Sequence, residues 1–590
     1  MREGTVLRRR DEPAGPAVAR EVGVLQADPR LRFAVLAASA VLLLVGLGWL
    51  DAVAPDEPRA LQVAEEMRSF EHGVKGLVLL HLNGEAYTQK PPLYYWLAVA
   101  AGTPTGRVTE LAARLPSALA GLVVVWLTMQ LGTRLLGRGA GVLGAAMLVT
   151  VYSFAHLARR VQFDVVLAAF ELAGLTCFWW LDRGLGRERR LQAGLHGALG
   201  LAVLTKGPVG FLIPVLGIVA FLVWERRPRD LRRAFPLWGF ALSVLPGLVW
   251  IATATALAPK GFAAAAVGEN LLGRFMASTS HARPFLYYLW TFPLDFLPWT
   301  LAWPLVFWIG RRDVFAPGAP DEARRAWRFL LAGIAASLIF FSLSSGKRGL
   351  YQVPIFPATA LLTADALLRW LTGRARLPRA FTVLAGLVVA LLVAAGAGAV
   401  AAGLGRPVLV RAARLAEVDR PLLLAFGCGL LGIASAAVAG WVVGVRNRIS
   451  VLVFPGIVAG TFAAAELAVF LLLMPAIEPG TTLRPTALAA AERTAPGGRI
   501  GLLGDSPMIG PLVYYGERRV ALLRRPADVE RFFAEGGRAL VLNRKKLERL
   551  TTPVDIVHRT RSGPRELLVV TPRMASDDGA RGSGVEPAAH

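Results

Sequence analysis

The chain has 590 residues, 55% of them hydrophobic, and a mean hydropathy of +0.50. One soluble core cannot account for this much apolar sequence, which favours repeated membrane spans. The formal net charge is +24, but many basic residues fall in short gaps between apolar runs. Because a nucleic-acid-binding face needs basic residues concentrated on one surface, the pattern indicates membrane topology and no nucleic-acid partner.

A basic tail of residues 1–30 precedes the first apolar run, "LRFAVLAASAVLLLVGLGWL" (31–50). A run of about 20 residues is long enough to cross a bilayer. Ala52-Val53-Ala54 has the small-x-small pattern of a signal cleavage site, but Pro55 follows it directly. We therefore predict an uncleaved anchor and a cytoplasmic tail.

Apolar runs of spanning length recur through residues 31–474 and predict about 13 transmembrane helices. Loops between alternate runs, such as "DRGLGRERR" and "WERRPRDLRR", are rich in Arg, which the positive-inside rule assigns to the cytoplasm. An odd number of spans places the residues after Met474 outside. The runs lie near 31–50, 109–133, 138–157, 163–181, 191–205, 207–224, 235–257, 287–309, 327–344, 351–371, 379–403, 421–444 and 450–474.

The first outer loop, residues 51–108, contains two distinctive segments. In "APDEPRALQVAEEMRSF" (54–70), Pro58 and an apolar stripe at helical spacing predict a short interfacial helix. Asp56 lies at its start, where it could cap the helix or face a pocket. In "NGEAYTQKPPLYYW" (83–96), a Pro-Pro step stiffens the backbone after Lys90 and fixes this cation at the outer surface.

Five short outer segments carry basic residues that the positive-inside rule would keep off this face. Together they predict a cationic pocket, which suits a phosphate, because Arg offers bidentate geometry and Lys a point charge. The segments are that of Lys90, "HLARRVQFD" (156–164), "LTKGP" (204–208), "HARPF" (281–285) and "SSGKRGLYQVP" (344–354).

In this order, the segments resemble the membrane glycosyltransferases that include bacterial lipid A aminoarabinose transferase and the protein O-mannosyltransferase-like superfamily. The resemblance covers roughly Asp51 to Leu371 and extends through "DEPR", "RRVQFD", "LTKGPVG", "HARPFLYYL" and "SGKRGLYQVPIFPA". It implies a polytopic α-helical membrane protein with the C-type glycosyltransferase (GT-C) fold. It also implies a polyprenyl-phosphate sugar donor and an active site at the outer face.

The resemblance implies roles for individual residues. Asp56 matches the essential acidic residue of the first outer loop, Arg59 matches its nearby cation, and Asp164 is a second catalytic candidate, although it could instead neutralise Arg159 or Arg160. The candidates for binding the donor phosphate or substrate are Arg59, Tyr87, Lys90, Lys206, Lys347, Arg348 and Tyr351.

Two positions depart from the aminoarabinose transferase pattern: Gln89 stands where these enzymes usually have an acid, and Ala60 stands where they have Tyr. In that branch the acid and a His partner a metal ion. A neutral amide is a poorer ligand than a carboxylate for a hard cation. A divalent metal is therefore left open as a cofactor, with Asp56 and His281 as its candidate ligands.

The C-terminal part, residues 475–572, alternates short β-type segments with helical ones and predicts a small periplasmic α/β domain. Residues 573–590 are polar and Gly-rich, which is typical of a disordered tail. "GLLGDS" near the start of the domain lacks the spacing of a nucleotide-binding fingerprint.

These observations predict an inverting glycosyltransferase in the bacterial cytoplasmic (inner) membrane, with its active site outside. The sugar would pass from polyprenyl phosphate to lipid A, lipopolysaccharide or a protein hydroxyl. Asp56 would act as general base for a hydroxyl acceptor and as an orienting group for a phosphate. A transporter or lipid flippase is the alternative, because Glu171, Asp295, Asp365 and Glu466 fall inside apolar runs. No inverted repeat supports it.

Overall fold

The computed structural model describes residues 28–266, 268, 282–314, 322–371, 453–478, 482–504, 506–562 and 565–573, with scattered positions between 386 and 439. Nearly all of the predicted disordered tail, most of the basic N-terminal tail and about half of the spans near 379–403 and 421–444 lie outside these residues. The chain forms two compact units. The first comprises Met1–Leu50, Val63–His81 and Glu85–Ile477, and the second Asp51–Gln62, Leu82–Gly84 and Glu478–His590.

Helices dominate the described chain up to Ile477. The first of them begins where the sequence supplies a cap: Pro29 occupies its first turn, and Asp28 Oδ1 accepts a hydrogen bond from the backbone N–H of Arg30 at 2.8 Å. The helices are α1 (Pro29–Leu44), α2 (Asp56–Arg68), α3 (Leu93–Gly102), α4 (Glu110–Leu135), α5 (Arg138–Val149), α6 (Tyr152–Ala158), α7 (Phe163–Asp182), α8 (Glu188–Lys206), α9 (Val209–Trp224), α10 (Leu231–Ala234), α11 (Leu237–Leu257), α12 (Tyr287–Asp295), α13 (Trp303–Asp313), α14 (Glu322–Leu343), α15 (Phe356–Leu371), α16 (Val453–Ala468) and α17 (Met474–Ile477).

Four of the described helices are long and apolar enough to cross a membrane: α4, α7, α11 and α14. They coincide with predicted spans. Two further predicted spans are sharply bent in the structure. The pair α5–α6 bends by 69°, and the pair formed by α12 and Trp299–Arg312 bends by 110°. The second bend follows Pro293 and contains Pro298, residues that interrupt helical hydrogen bonding. The total of 13 spans stays a prediction.

The first predicted span is also shorter than the apolar run suggests. Helix α1 ends at Leu44, because Gly46 takes a positive φ of 70° and turns the chain. Arg114, buried in α4, donates hydrogen bonds to the carbonyls of Leu47 (3.0 Å) and Leu50 (2.8 Å). A buried guanidinium thus satisfies the backbone where the helix has ended.

Close backbone contact joins α4 to α5 in the core of the helical unit. A Cβ added to Gly141 would lie 2.5 Å from the carbonyl oxygen of Met129, and one added to Gly132 would lie 2.8 Å from the Cα of Gly141. Leu361 of α15 packs over Gly132 and Gly144 of the same pair. Small residues at such contacts allow membrane helices to approach closely.

The second unit contains a five-stranded sheet in the order β4-β3-β5-β7-β6. Strand β3 pairs in parallel with β4 and β5, and β7 pairs antiparallel with β5 and β6. Helices lie between β3 and β4, between β4 and β5, and between β5 and β6. The elements are α18 (Arg484–Glu492), β3 (Arg499–Leu503), α19 (Ile509–Gly516), β4 (Arg519–Leu523), α20 (Pro526–Ala534), β5 (Leu540–Asn543), α21 (Arg544–Leu547), β6 (Val554–Ser562) and β7 (Arg565–Pro572).

A hairpin from the first outer loop contributes to both units. Strands β1 (His81–Leu82) and β2 (Glu85–Ala86) form it, and Asn83 and Gly84 take the positive φ values of its turn, 59° and 80°. The Asn83 side chain donates to Val520 O and accepts from Val520 N, both at 2.9 Å. It therefore covers part of the open edge of β4.

Candidate functional site

An ion pair joins two sequence-predicted residues at opposite helix ends. Asp164 lies in the first turn of α7, and Lys206 is the last residue of α8. The Lys206 ammonium donates to Asp164 Oδ1, and the two side chains are 12% and 3% exposed. An acid near a helix N-terminus and a base at a C-terminus both complement the helix dipole, so the sequence places this pair favourably. Asp164 thus has Lys206 as its ion-pair partner, whereas the alternative that the sequence left open was Arg159 or Arg160.

Arg159 has a different role. Its guanidinium donates to the carbonyls of Leu42 (2.6 Å) and Val45 (2.7 Å), and it lies 4.5 Å from the ring centroid of Phe470. These contacts hold the end of α1, where the backbone lacks helical partners.

An aromatic ring lies beside each of two candidate lysines. Lys206 Nζ is 4.2 Å from the ring centroid of Tyr351, which belongs to a 3₁₀ turn over Gly349–Ile355. Lys90 Nζ is 5.1 Å from the ring centroid of Phe163. Both distances are within the range of cation–π attraction.

Phe163 directly precedes Asp164, so the two lysines converge on neighbouring residues at the start of α7. Phe163 is fixed by two tyrosines of the Pro-Pro segment: it stacks on Tyr94 at 4.3 Å and meets the edge of Tyr95 at 5.4 Å between centroids. Phe163 was not among the site residues predicted from the sequence, although the motif "RRVQFD" contains it. Two cations beside a helix N-terminus form a favourable environment for an anion.

Tyr87 and Gln89 also face each other beside this aromatic group. The Tyr87 hydroxyl donates to Gln89 Oε1 at 3.3 Å, and the Tyr87 ring meets the edge of Tyr95 at 6.4 Å between centroids. The amide that replaces the expected acid is therefore bonded to another candidate residue.

Lys347 is placed differently from Lys90 and Lys206. The Lys347 side chain is buried, and its ammonium donates to the carbonyls of Ser344 and Arg283, the latter at 3.2 Å. Burial lowers the pKa of this ammonium below its ordinary value. The Arg348 carbonyl accepts from the hydroxyl of Tyr288 at 3.2 Å. Lys347 thus binds backbone oxygens in this structure, which is the environment of a loop-stabilising residue.

Asp56 and Arg59 lie in the second unit, one turn apart at the start of α2. Arg59 Nη1 is 3.4 Å from Asp56 Oδ1, and the Asp56 side chain is 56% exposed. Its buried neighbour Glu57 makes a local backbone contact, because its Oε2 accepts from the N–H of Val53 at 2.7 Å. Asp56 therefore presents its carboxylate to solvent. His281, the other candidate metal ligand, lies outside the described residues.

Several known proteins are similar to this chain in sequence. The family model for dolichyl-phosphate-mannose-protein mannosyltransferase matches residues 31–265. The undecaprenyl phosphate-α-4-amino-4-deoxy-L-arabinose arabinosyl transferase 1 of Pseudomonas fluorescens is 30% identical over 330 residues, which are 54% of each chain. The chain spans little more than half the length of the curated relatives it matches first.

Among solved structures, ArnT from Cupriavidus metallidurans bound to undecaprenyl phosphate superimposes with a TM-score of 0.71 at 20% identity, covering 92% of this chain and 98% of that one. Its apo form gives 0.70 at 19% identity, covering 91% and 97%. The chain has the fold of ArnT. It is therefore helical with the GT-C fold, and the predicted resemblance to polyprenyl-phosphate-sugar glycosyltransferases is confirmed.

Proposed function

We propose that the protein is an inverting glycosyltransferase that moves a sugar from a polyprenyl phosphate to an acceptor of the bacterial envelope. The observation that carries this proposal is the convergence of Lys90 and Lys206 on Phe163 and Asp164 at the start of α7. The names of the relatives, which specify undecaprenyl phosphate-linked aminoarabinose, support the same donor class.

The two lysines act on the donor phosphate. An ammonium carries three N–H donors, so Lys206 can keep its contact with Asp164 and still donate to a phosphate oxygen. Asp164 then acts as a positioning residue that holds Lys206, and Lys90 offers a second cation from the stiff Pro-Pro segment. When the bond between the anomeric carbon and the phosphate oxygen breaks, the phosphate regains negative charge. Preorganised cations stabilise this charge in the transition state.

The acceptor attacks the anomeric carbon from the side opposite the leaving phosphate and inverts its configuration. Asp56 is the general base when the acceptor is a hydroxyl, since an exposed carboxylate can accept the proton that the hydroxyl loses. An anionic acceptor such as a lipid A phosphate needs no base, and Asp56 then orients the reactants. Undecaprenyl phosphate-linked aminoarabinose and lipid A are the first donor and acceptor to test, because relatives carry that donor in their names.

The reaction takes place at the outer face of the cytoplasmic membrane. The Arg-rich loops support this orientation, since they assign the opposite ends of the helices to the cytoplasm. Nucleotide sugars are not normally available on the outer side, whereas a lipid-carried sugar can reach it.

Mass spectrometry of envelope lipids and glycoproteins tests the function in cells. Cells with the wild type, a deletion and Asp56→Ala are compared; we expect one glycan to be lost in the deletion and strongly reduced in the variant. The matched control is Lys545→Met, which changes an exposed side chain of α21 and should leave the glycan profile intact. An unchanged profile in the deletion strain would contradict the transferase proposal.

The alternative function, lipid transport, is favoured by one observation. Glu171 lies two turns after Asp164 in α7, and its buried Oε1 has no hydrogen-bond partner among the described residues. Lipid flux across vesicles that survives Asp56→Ala, together with an unchanged glycan profile, would support the transporter instead.

A further inference from the structure

The turn that follows α2 gathers three side chains able to bind a metal ion. Glu66 lies in the last turn of α2, and Phe70 then takes a φ of 53°, which reverses the chain and returns Glu71 and His72 towards Glu66. Glu66, Glu71 and His72 each offer one ligand atom, and these atoms all lie within 4.8 Å of one another. All three residues belong to the first unit.

The contact between Glu66 and His72 has the spacing of two ligands rather than of a hydrogen bond. His72 Nε2 is 3.6 Å from Glu66 Oε2, which is too long for a hydrogen bond. This nitrogen is buried and has no hydrogen-bond partner among the described residues. Ligand atoms about 2.0–2.2 Å from a tetrahedral zinc ion lie roughly 3.3–3.6 Å apart. An ion would therefore satisfy a nitrogen that lacks a hydrogen bond within the described chain.

Neighbouring residues restrain Glu66 and His72, whereas Glu71 is exposed and can move. The Glu66 side chain is 2% exposed, and the His72 ring stacks on that of His81 at 3.6 Å between centroids and 17° between planes. Glu71 is exposed, so its carboxylate can close on an ion that enters from solvent. A fourth position is then left for water.

We propose that Glu66, Glu71 and His72 form a binding site for a divalent transition-metal ion, with Zn²⁺ as the first candidate. One imidazole nitrogen and two carboxylates form a ligand set that suits zinc, whereas Ca²⁺ and Mg²⁺ prefer oxygen ligands alone. The site uses none of the residues assigned to sugar transfer, and its ligands differ from the candidate pair Asp56 and His281.

The ion would fix a loop that supports the Pro-Pro segment. His72 precedes the 3₁₀ turn Gly73–Leu77, and the Leu77 carbonyl accepts a hydrogen bond from Trp96 Nε1 at 2.8 Å. Trp96 lies in α3, which continues directly from the segment that carries Lys90. Metal binding at His72 therefore restrains the loop on which α3 rests.

Calorimetric titration with ZnCl₂ tests the site. The full chain is purified in detergent, freed of any affinity tag, treated with chelator and desalted. We expect one tight Zn²⁺ per chain in the wild type, and affinity at least about tenfold weaker in His72→Ala and Glu66→Gln. His558→Ala in β6 is the matched control, because His558 Nε2 contacts Thr560 at 2.6 Å and should leave binding unchanged.

Two further variants keep the outcome decisive. Glu71→Gln changes an exposed side chain, so it should fold normally and still weaken zinc binding. His281→Ala should leave this site intact. The proposal is overturned if the wild type binds no Zn²⁺ at about 100 µM, if Glu71→Gln and His72→Ala both bind as tightly as the wild type, or if His281→Ala alone abolishes binding. None of these measurements depends on transferase activity.

Discussion

Replacing Lys206 with Met should destabilise the protein more than replacing Asp164 with Asn. In Lys206→Met, the Asp164 carboxylate stays 3% exposed and loses its ammonium partner. A buried charge left without its partner costs about 3–5 kcal/mol. In Asp164→Asn, the amide can still accept from Lys206, which also keeps the Tyr351 ring, so we expect a loss of about 1–3 kcal/mol.

The double variant Asp164→Leu with Lys206→Met separates pairing from packing. Because it removes both charges, it should lose less stability than the sum of Lys206→Met and Asp164→Leu measured singly. The assay is the thermal unfolding midpoint of the wild type, these three variants and Asp164→Asn in one detergent. A midpoint of Lys206→Met equal to that of the wild type, or strictly additive losses, would refute the buried pair.

Three further predictions concern packing and pH. Gly510→Ala should lower stability by about 1–3 kcal/mol and reduce activity, because its Cβ would lie 2.6 Å from the Cα of Arg59, in the helix that carries the candidate base. Gly141→Ala should lower the unfolding midpoint through its clash with a carbonyl at 2.5 Å, whereas Gly197→Ala, with no atom within 4 Å, is the control that should not. Equal midpoints in the two variants would contradict the close packing. Burial lowers the pKa of Lys347, so desolvation of its ammonium costs stability even though the ammonium donates to two carbonyls, and this cost is relieved as pH rises through the lowered pKa towards about 10.5. The unfolding midpoint of the wild type should therefore rise relative to that of Lys347→Met over this pH range. A difference between the two midpoints that stays constant with pH would contradict the prediction.

The order of the motifs predicted which segments contribute residues to the candidate site, but it did not predict which side chains pair with each other. Lys206 and Asp164 were both candidates from the sequence, yet their ion pair depends on two helix ends meeting, which residue spacing does not reveal. Phe163 was not predicted to be a site residue, because an aromatic residue at the start of an apolar helix is usually a packing residue. In the structure it contacts Lys90.

Local sequence patterns predicted which helices and strands form better than they predicted where the helices end. The strands of the second unit followed from β-type segments between turn residues. Helix α1 is shorter than its apolar run predicts, because Gly46 takes a positive φ that apolar composition does not reveal. At α2, the sequence left Asp56 open as a cap or a pocket residue, and it did not single out Glu57, whose buried carboxylate accepts from the N–H of Val53.

Transfer by the purified full chain in liposomes tests the central claim most directly. The donor is undecaprenyl phosphate-linked aminoarabinose, the acceptor is lipid A, and mass spectrometry follows both the modified acceptor and the released undecaprenyl phosphate. We predict that the wild type forms both products together, that Lys206→Met and Lys90→Met lose about 10²-fold or more in rate, and that Lys545→Met is unaffected. Release without transfer, or equal rates in all four proteins, would contradict the account.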